Sequence, residues 1–363
     1  MQKSSPAGWR SFSGHHLMST KKTIMKQLFA LCLLFICTWC LNAYAQPKSA
    51  AKKESKIDWV TYQNPIIPAY LADPYIRFEN GYYYFFATGQ AQDNRYIPIY
   101  RSKNLSNWQF VRGAVSNGKK EDWNYKHFWA PEVIKIKNKF YLYYTASPEI
   151  SPANSGNRVG VAVADKIEGP YKNIGVVIPN GSIDGHPVFD KDGMMYIFYT
   201  IEWQNTKGFK AGQIYVDKMI SPTQVADDPK PLITHHNWQE GPFILQRDNT
   251  YFLTYSCGAW SDSTYHLRYA KSNSITGPYT EQADTIIKSN AMVKGPGHHS
   301  IFKDQNNGDW IVYHGWDTAF KARYPRIDLI KYKNGRITCS GPSYTPQKVK
   351  LMSGPSRRNK LID

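Results

Sequence analysis

Cysteine is nearly absent from the part of this 363-residue chain that would form a folded domain. Of five cysteines, Cys32, Cys37 and Cys40 lie in an N-terminal apolar run, which leaves Cys257 and Cys339. Two cysteines exclude a disulfide framework, although an oxidising compartment permits a Cys257–Cys339 bridge. Long apolar runs are lacking too. The longest, residues 28–40, has 13 positions, whereas a membrane-spanning helix needs ~20. Helical periodicity is scarce along the whole chain, which argues against a helical fold. Acids are few, 28 Asp and Glu against 45 Lys and Arg. Any recurrence of carboxylates at equivalent places therefore carries information.

The N-terminal run has Lys21, Lys22 and Lys26 before it and Ala43-Tyr44-Ala45 after it. A basic region, a short apolar region and an A-x-A end make residues 1–45 a secretory signal peptide. Met25 is an alternative start. Cleavage near Ala45 would deliver a secreted or periplasmic protein with no membrane span. Residues 46–57 read as a flexible, solvated spacer, and 58–363 as one catalytic domain. The formal charge is +17, of which five charges sit in residues 1–45. The remaining lysines are scattered rather than clustered, so a nucleic-acid partner is not expected. A basic surface meeting polysaccharide is, and the protein is expected to be a monomer.

What is abundant is aromatic residues, 15% of the chain, and they come in repeats. The runs NGYYYFFAT, NKFYLYYTA, GMMYIFYT, NTYFLTYS and GDWIVYHGW align on Tyr82, Phe140, Met195, Tyr251 and Trp310, at gaps of 58, 55, 56 and 59 residues. Each has a strand-like segment before it, joined by a turn, and another after it. Three to four short strands per unit, repeated five times, predict an all-β, five-bladed β-propeller.

The first strand of each blade lies nearest the propeller axis, so the residues that open it converge. Those residues are Leu71-Ala72-Asp73-Pro74, Trp129-Ala130-Pro131-Glu132, Ile183-Asp184-Gly185-His186, Gln239-Glu240-Gly241-Pro242 and Gly297-His298-His299-Ser300. Asp-Pro and Glu-Gly-Pro also form turns. As a set, however, four carboxylate-bearing motifs and one of histidines suit glycoside hydrolysis. There one carboxylic acid protonates the leaving oxygen and one carboxylate activates water or attacks. Crowding like charges keeps one of them protonated near neutral pH. Phe128, Trp129, Trp203, Trp260 and Trp316 are candidates for stacking on sugar or for packing between blades.

With these motifs in order from about Asn64 to Gly335, the sequence resembles glycoside hydrolase family 43, five-bladed propellers acting on arabinose- and xylose-containing polysaccharides. The resemblance implies that Asp73 is the general base, that Glu240 is the general acid, and that Asp184 raises the acid's pKa and orients it. It implies inversion, with the Asp73 and Glu240 carboxyls about 6.5–9.5 Å apart. It implies that Trp129 shapes the sugar subsite, that Glu132 anchors its own strand, and that His298 is the axial histidine. In some members that histidine binds substrate or holds a structural Ca2+ through water; the chemistry itself needs no cofactor. His299 departs from the family, where Asn is common. Of Arg323 and Arg326, Arg326 is favoured as a substrate contact. The leading expectation is a secreted, inverting α-L-arabinofuranosidase. β-Xylosidase, endo-arabinanase and galactan-directed hydrolase remain open, as does a non-catalytic carbohydrate-binding propeller.

Overall fold

The computed structural model describes residues 56–149, 156–203, 208–233 and 238–353. The expected signal peptide, Met25, the cleavage near Ala45 and nearly all of the spacer lie outside them. Every element of regular structure among the described residues is a β-strand. The chain opens with β1 (Lys56–Tyr62), which starts within two residues of the expected spacer boundary. Blade 1 follows as β2 (Ala72–Glu79), β3 (Tyr82–Thr88), β4 (Tyr96–Ser102) and β5 (Gln109–Val115). Blade 2 is β6 (Lys126–Ile136), β7 (Lys139–Ser147), β8 (Arg158–Ala164) and β9 (Lys172–Val176). Blade 3 is β10 (Ser182–Phe189), β11 (Met195–Ile201) and β12 (Gln213–Ser221), edged by the short β13 (Gln224–Val225) and β14 (Lys230–Pro231). Blade 4 is β15 (Gln239–Arg247), β16 (Thr250–Cys257), β17 (His266–Ser272) and β18 (Thr280–Ile287). Blade 5 is β19 (Lys294–Lys303), β20 (Asp309–Trp316), β21 (Arg323–Lys333) and β22 (Arg336–Cys339), and β23 (Gln347–Ser353) ends the described chain.

Each blade is an antiparallel meander in sequence order, except that in blade 3 both β13 and β14 pair with β12. In blade 1 the Asn80-Gly81 turn, with both residues at positive φ, joins Glu79 to Tyr82 across the hairpin. Two such residues suit the tight turn whose twist matches the strands it joins. The second strands are buried on both faces, which is why they read as aromatic runs rather than as alternating patterns.

Five apolar cores fill the five seams between neighbouring blades. Tyr83, Phe85, Phe302 and Trp310 lie between blades 5 and 1. Phe86, Phe128, Phe140 and Tyr144 lie between blades 1 and 2. Comparable clusters occupy the other seams. Phe128 is thus a packing residue, stacked on Tyr96 at 4.2 Å.

Among the described residues no strand from the N-terminal side enters blade 5. The ring closes instead through the seam core and through residues 64–71. Ile66 N–H donates to Pro325 O (3.1 Å), Leu71 N–H donates to Arg323 O (3.1 Å), and the Asn64 amide brackets the Ile327 backbone at 2.8 and 2.9 Å. Strand β1 pairs with β23 in a separate two-stranded sheet. The bridge the two cysteines permitted is not formed. Both are free thiols, Cys257 packed in the seam of blades 3 and 4 and Cys339 against that of blades 4 and 5. Among the described residues no helix is long and apolar enough to cross a membrane.

Candidate active site

The five innermost strands share one distortion near their start. Asp73, Ala130, Asp184, Gly241 and His298 all sit at positive φ, between 43° and 63°. The pairing register of each strand slips at the same place. A β-bulge re-aims side chains, and left-handed non-glycine residues are costly enough to persist mainly where the surroundings enforce them. Enforcement here comes from the preceding blade. Thr88 Oγ1 accepts Ala130 N–H (2.8 Å), Thr145 Oγ1 accepts Asp184 N–H (3.2 Å) and Ser256 Oγ accepts His298 N–H (2.8 Å). His314 Nδ1 accepts Asp73 N–H at 3.1 Å, joining blade 5 to blade 1. At the seam of blades 3 and 4 the expected hydroxyl, Thr200 Oγ1, is buried without a partner. There Asp184 Oδ2 accepts Gly241 N–H at 2.9 Å instead.

Three of the expected residues meet at the axis. His298 Nδ1 lies 3.4 Å from Asp73 Oδ1 and 3.9 Å from Asp184 Oδ2. Glu240 precedes Gly241 by one residue, and both its oxygens are held. Tyr265 O–H donates to Oε1 and Trp238 Nε1–H to Oε2, each at 2.6 Å. Tyr265 is fully buried and stacks on His314.

The electrostatics differ from group to group. Burial alone would raise the Asp73 pKa, but the cationic His298 and the Arg323 guanidinium, 3.7 Å away, hold its carboxyl well below the usual carboxylate range. Thr88 Oγ1–H adds a 2.6 Å hydrogen bond to Oδ2. His314 Nδ1 is also near, at 3.3 Å, but its lone pair already accepts the Asp73 N–H; burial lowers its pKa to about 4, so it stays neutral. Burial pushes Asp184 up to about 7; His298 and the Gly241 N–H oppose that rise, and the charges of Glu240 and Asp73 add to it. His298 is raised, because the surrounding carboxylates outweigh the opposing effect of its burial. The axis thus holds one carboxyl kept ionised, Asp73, and another, Asp184, that retains a proton near neutrality.

Trp129 occupies in blade 2 the place of Glu240 in blade 4, one residue before the left-handed position, and stacks on His127 at 4.6 Å. Glu132 makes no contact with the axial trio. Its Oε2 accepts from His186 Nδ1 at 2.7 Å, while His186 Nε2 accepts Ile244 N–H at 3.1 Å, so it stitches blades 2, 3 and 4 together. His299 Nε2–H faces Thr254 Oγ1 at 2.6 Å and binds blade 5 to blade 4.

The choice of Arg326 over Arg323 is corrected. Arg326 is buried beneath Gly315, beside Tyr313 and Asp328. Arg323 faces Asp73, hydrogen-bonds Tyr70 (3.3 Å) and lies over the Tyr70, Trp260 and Trp316 rings at 4.8–5.6 Å. Period-two alternation puts positions 323 and 326 on opposite faces of β21.

The donors around His298 do not fit calcium held directly. Among the described residues no three His, Cys, Asp or Glu side chains converge to hold a metal. The imidazole nitrogen faces carboxylates as a cation, whereas calcium takes about six to eight oxygens. Sequence reading missed Tyr265, Trp238 and His314, which approach from the loops ahead of β17 and β15 and from the second strand of blade 5. His314 stood within the GDWIVYHGW run and Trp238 two residues before Glu240.

Comparison with known proteins agrees with this geometry. The sequence is 27% identical to an extracellular exo-α-(1→5)-L-arabinofuranosidase of Cellvibrio japonicus, covering 68% of this chain and 79% of that one. It is 25% identical to a β-D-galactofuranosidase of Aspergillus niger, covering 74% and 80%. The fold superposes on a thermostable family-43 glycoside hydrolase with a TM-score of 0.69 at 28% identity, covering 79% of this chain and 98% of that one. Residues 62–337 match the family described as Glycosyl hydrolases family 43. With the match spanning all five blades, the chain belongs to glycosyl hydrolase family 43 and is a glycoside hydrolase.

Proposed function

We propose that this hydrolase is exported and releases α-L-arabinofuranosyl residues from plant-type polysaccharide with inversion, using Asp73 as base, Glu240 as acid and Asp184 as the group that sets the acid's state. The observation that carries the reading is the meeting of Asp73 and Asp184 around His298 at one axis, with Glu240 beside them held by Tyr265 and Trp238. Ionised Asp73 takes a proton from a water molecule as its oxygen attacks the anomeric carbon. The glycosidic C–O bond breaks, and its electron pair takes the proton from Glu240. Asp184 holds the backbone beside Glu240 through Gly241 N–H. When ionised, Asp184 favours a protonated neighbour. Arg323, Trp129 and the exposed Trp260 offer a donor and ring faces for the sugar.

Export is supported by the basic–apolar–AxA pattern and by the extracellular description of the Cellvibrio relative. The Aspergillus relative favours a second reading, a galactofuranoside substrate. Hydrolysis of chromogenic α-L-arabinofuranoside, β-D-galactofuranoside and β-D-xyloside tests the proposal. Cleavage of the first fastest is expected, with proton NMR showing the inverted anomer formed first. A preference for the xyloside would overturn the sugar assignment, and a retained anomer would overturn the base assignment.

The pH profile offers a separate check. Activity requires a protonated acid, so the rate is expected to fall at alkaline pH, and Asp184, pushed up to about 7, gains its negative charge over the same rise. Asp184→Asn removes a negative charge beside the acid, which makes the acid ionise more easily. The basic limb is then expected to move to lower pH. An unmoved limb would refute the role given to Asp184.

A further inference from the structure

One buried carboxyl of the pocket has no part in the chemistry above. Glu202 directly follows β11, is 7% exposed, and pairs with no cation among the described residues. Its Oε2 accepts from Asn157 Nδ2 at 2.6 Å. Its Oε1 takes no hydrogen bond from any described residue. The fully buried Asn157 is itself fixed, since its Oδ1 accepts from His127 Nδ1 at 2.9 Å. The same nitrogen lies 3.2 Å from Ser147 Oγ, and the His127 ring stacks on Trp129. A chain of one ring stack and two hydrogen bonds therefore runs from Trp129 to Glu202.

Two features give Glu202 a ligand-facing role. Its carboxyl is tied through Asn157 and His127 to Trp129 at the opening of β6, and it feels the charges of Asp184 and Glu240. It also lies two residues past the end-of-strand Thr200, where blade 5 carries Trp316 beside Arg323. Oε1 is not among the buried atoms left without a partner, so it keeps access to solvent while the rest of the side chain is buried. Burial pushes the Glu202 pKa up to about 8, Asn157 opposing and Asp184 and Glu240 adding, so at neutral pH its free oxygen carries a proton to donate.

We propose that Glu202 is a specificity-determining residue whose free Oε1 hydrogen-bonds one hydroxyl of the bound sugar, held in position by Asn157, His127 and Trp129. The proposal rests on the glycosidase reading of the pocket and names a contact that selects the sugar.

The test uses the aryl glycoside that the native protein cleaves fastest and its monodeoxy analogues. Glu202→Ala is expected to lower kcat/KM on the parent by about 10–100-fold, mostly through KM. On the one analogue lacking the contacted hydroxyl it should lose nothing further, because native protein and variant then lack the same bond. Glu202→Gln, which keeps a donor, should recover most of the loss. Glu202→Met preserves side-chain length if the alanine variant does not fold. Equal losses on the parent and every analogue, or no loss at all, would overturn the proposal. If native protein cleaves no aryl glycoside and Glu240→Gln binds none, the glycosidase reading falls and this proposal with it.

Discussion

Glu240→Gln is expected to lower kcat by about 10²–10⁴-fold while leaving substrate binding nearly intact. The amide keeps the shape of the side chain; its oxygen can still accept from Trp238 and its NH2 can donate to the Tyr265 hydroxyl, the two groups that hold the native carboxyl at 2.6 Å on each oxygen. What it lacks is a proton to give to the departing oxygen. Asp73→Asn should produce a loss of the same order for the opposite reason. That side chain is kept ionised by His298 and Arg323 despite its burial, and an amide takes no proton from water. The two variants separate on an activated leaving group. An aryl glycoside with an acidic phenol needs little protonation, so Glu240→Gln should recover part of its rate there and Asp73→Asn should not. Steady-state kinetics on two aryl glycosides of different phenol acidity checks this. Rates within about tenfold of native for either variant would refute its assignment.

Gly297→Ala is expected to be the most damaging single methyl group at the site. A Cβ at position 297 would lie 2.0 Å from Tyr265 Cε1 and 2.2 Å from its Cδ1. The ring cannot retreat, because it is fully buried and stacked on His314 at 5.8 Å. Overpacking of this kind costs about 1–3 kcal/mol, or a melting temperature lower by several degrees in a domain of this size. The damage should also reach the chemistry. Tyr265 O–H donates to Glu240 Oε1, and displacing the ring takes one of the two bonds that orient the acid. Thermal unfolding and kcat/KM measured together are expected to fall, with kcat/KM reduced at least about tenfold because a small misplacement of a catalytic group is expensive. A stable, fully active Gly297→Ala would mean that Tyr265 does not position Glu240.

Some of this was legible in the residues themselves. Hairpin partners lie close in sequence, so the Asn80-Gly81 turn and the aromatic run after it could be read locally, and five recurrences implied five blades. Asp73, Asp184 and His298 could be picked out because each opens an innermost strand. The left-handed bulge they share was not visible, since it is imposed by a hydroxyl or imidazole of the preceding blade.

The sequence by itself determined the number of blades, the order of the strands and the positions that face the axis. Those follow from short-range pairing and a period repeated along the chain. Only the tertiary structure decided which groups meet those positions from other blades. Asp73 and His314 are 241 residues apart in sequence, and Tyr265 reaches Glu240 from the loop ahead of β17. Arg323 rather than Arg326 faces Asp73 because of the side of β21 it occupies. The two thiols stay apart because they belong to different seams, and Glu202 is buried beside Asn157 because two blades pack there. Contacts of this kind depend on ring closure, which brings distant segments together by packing rather than by any local signal.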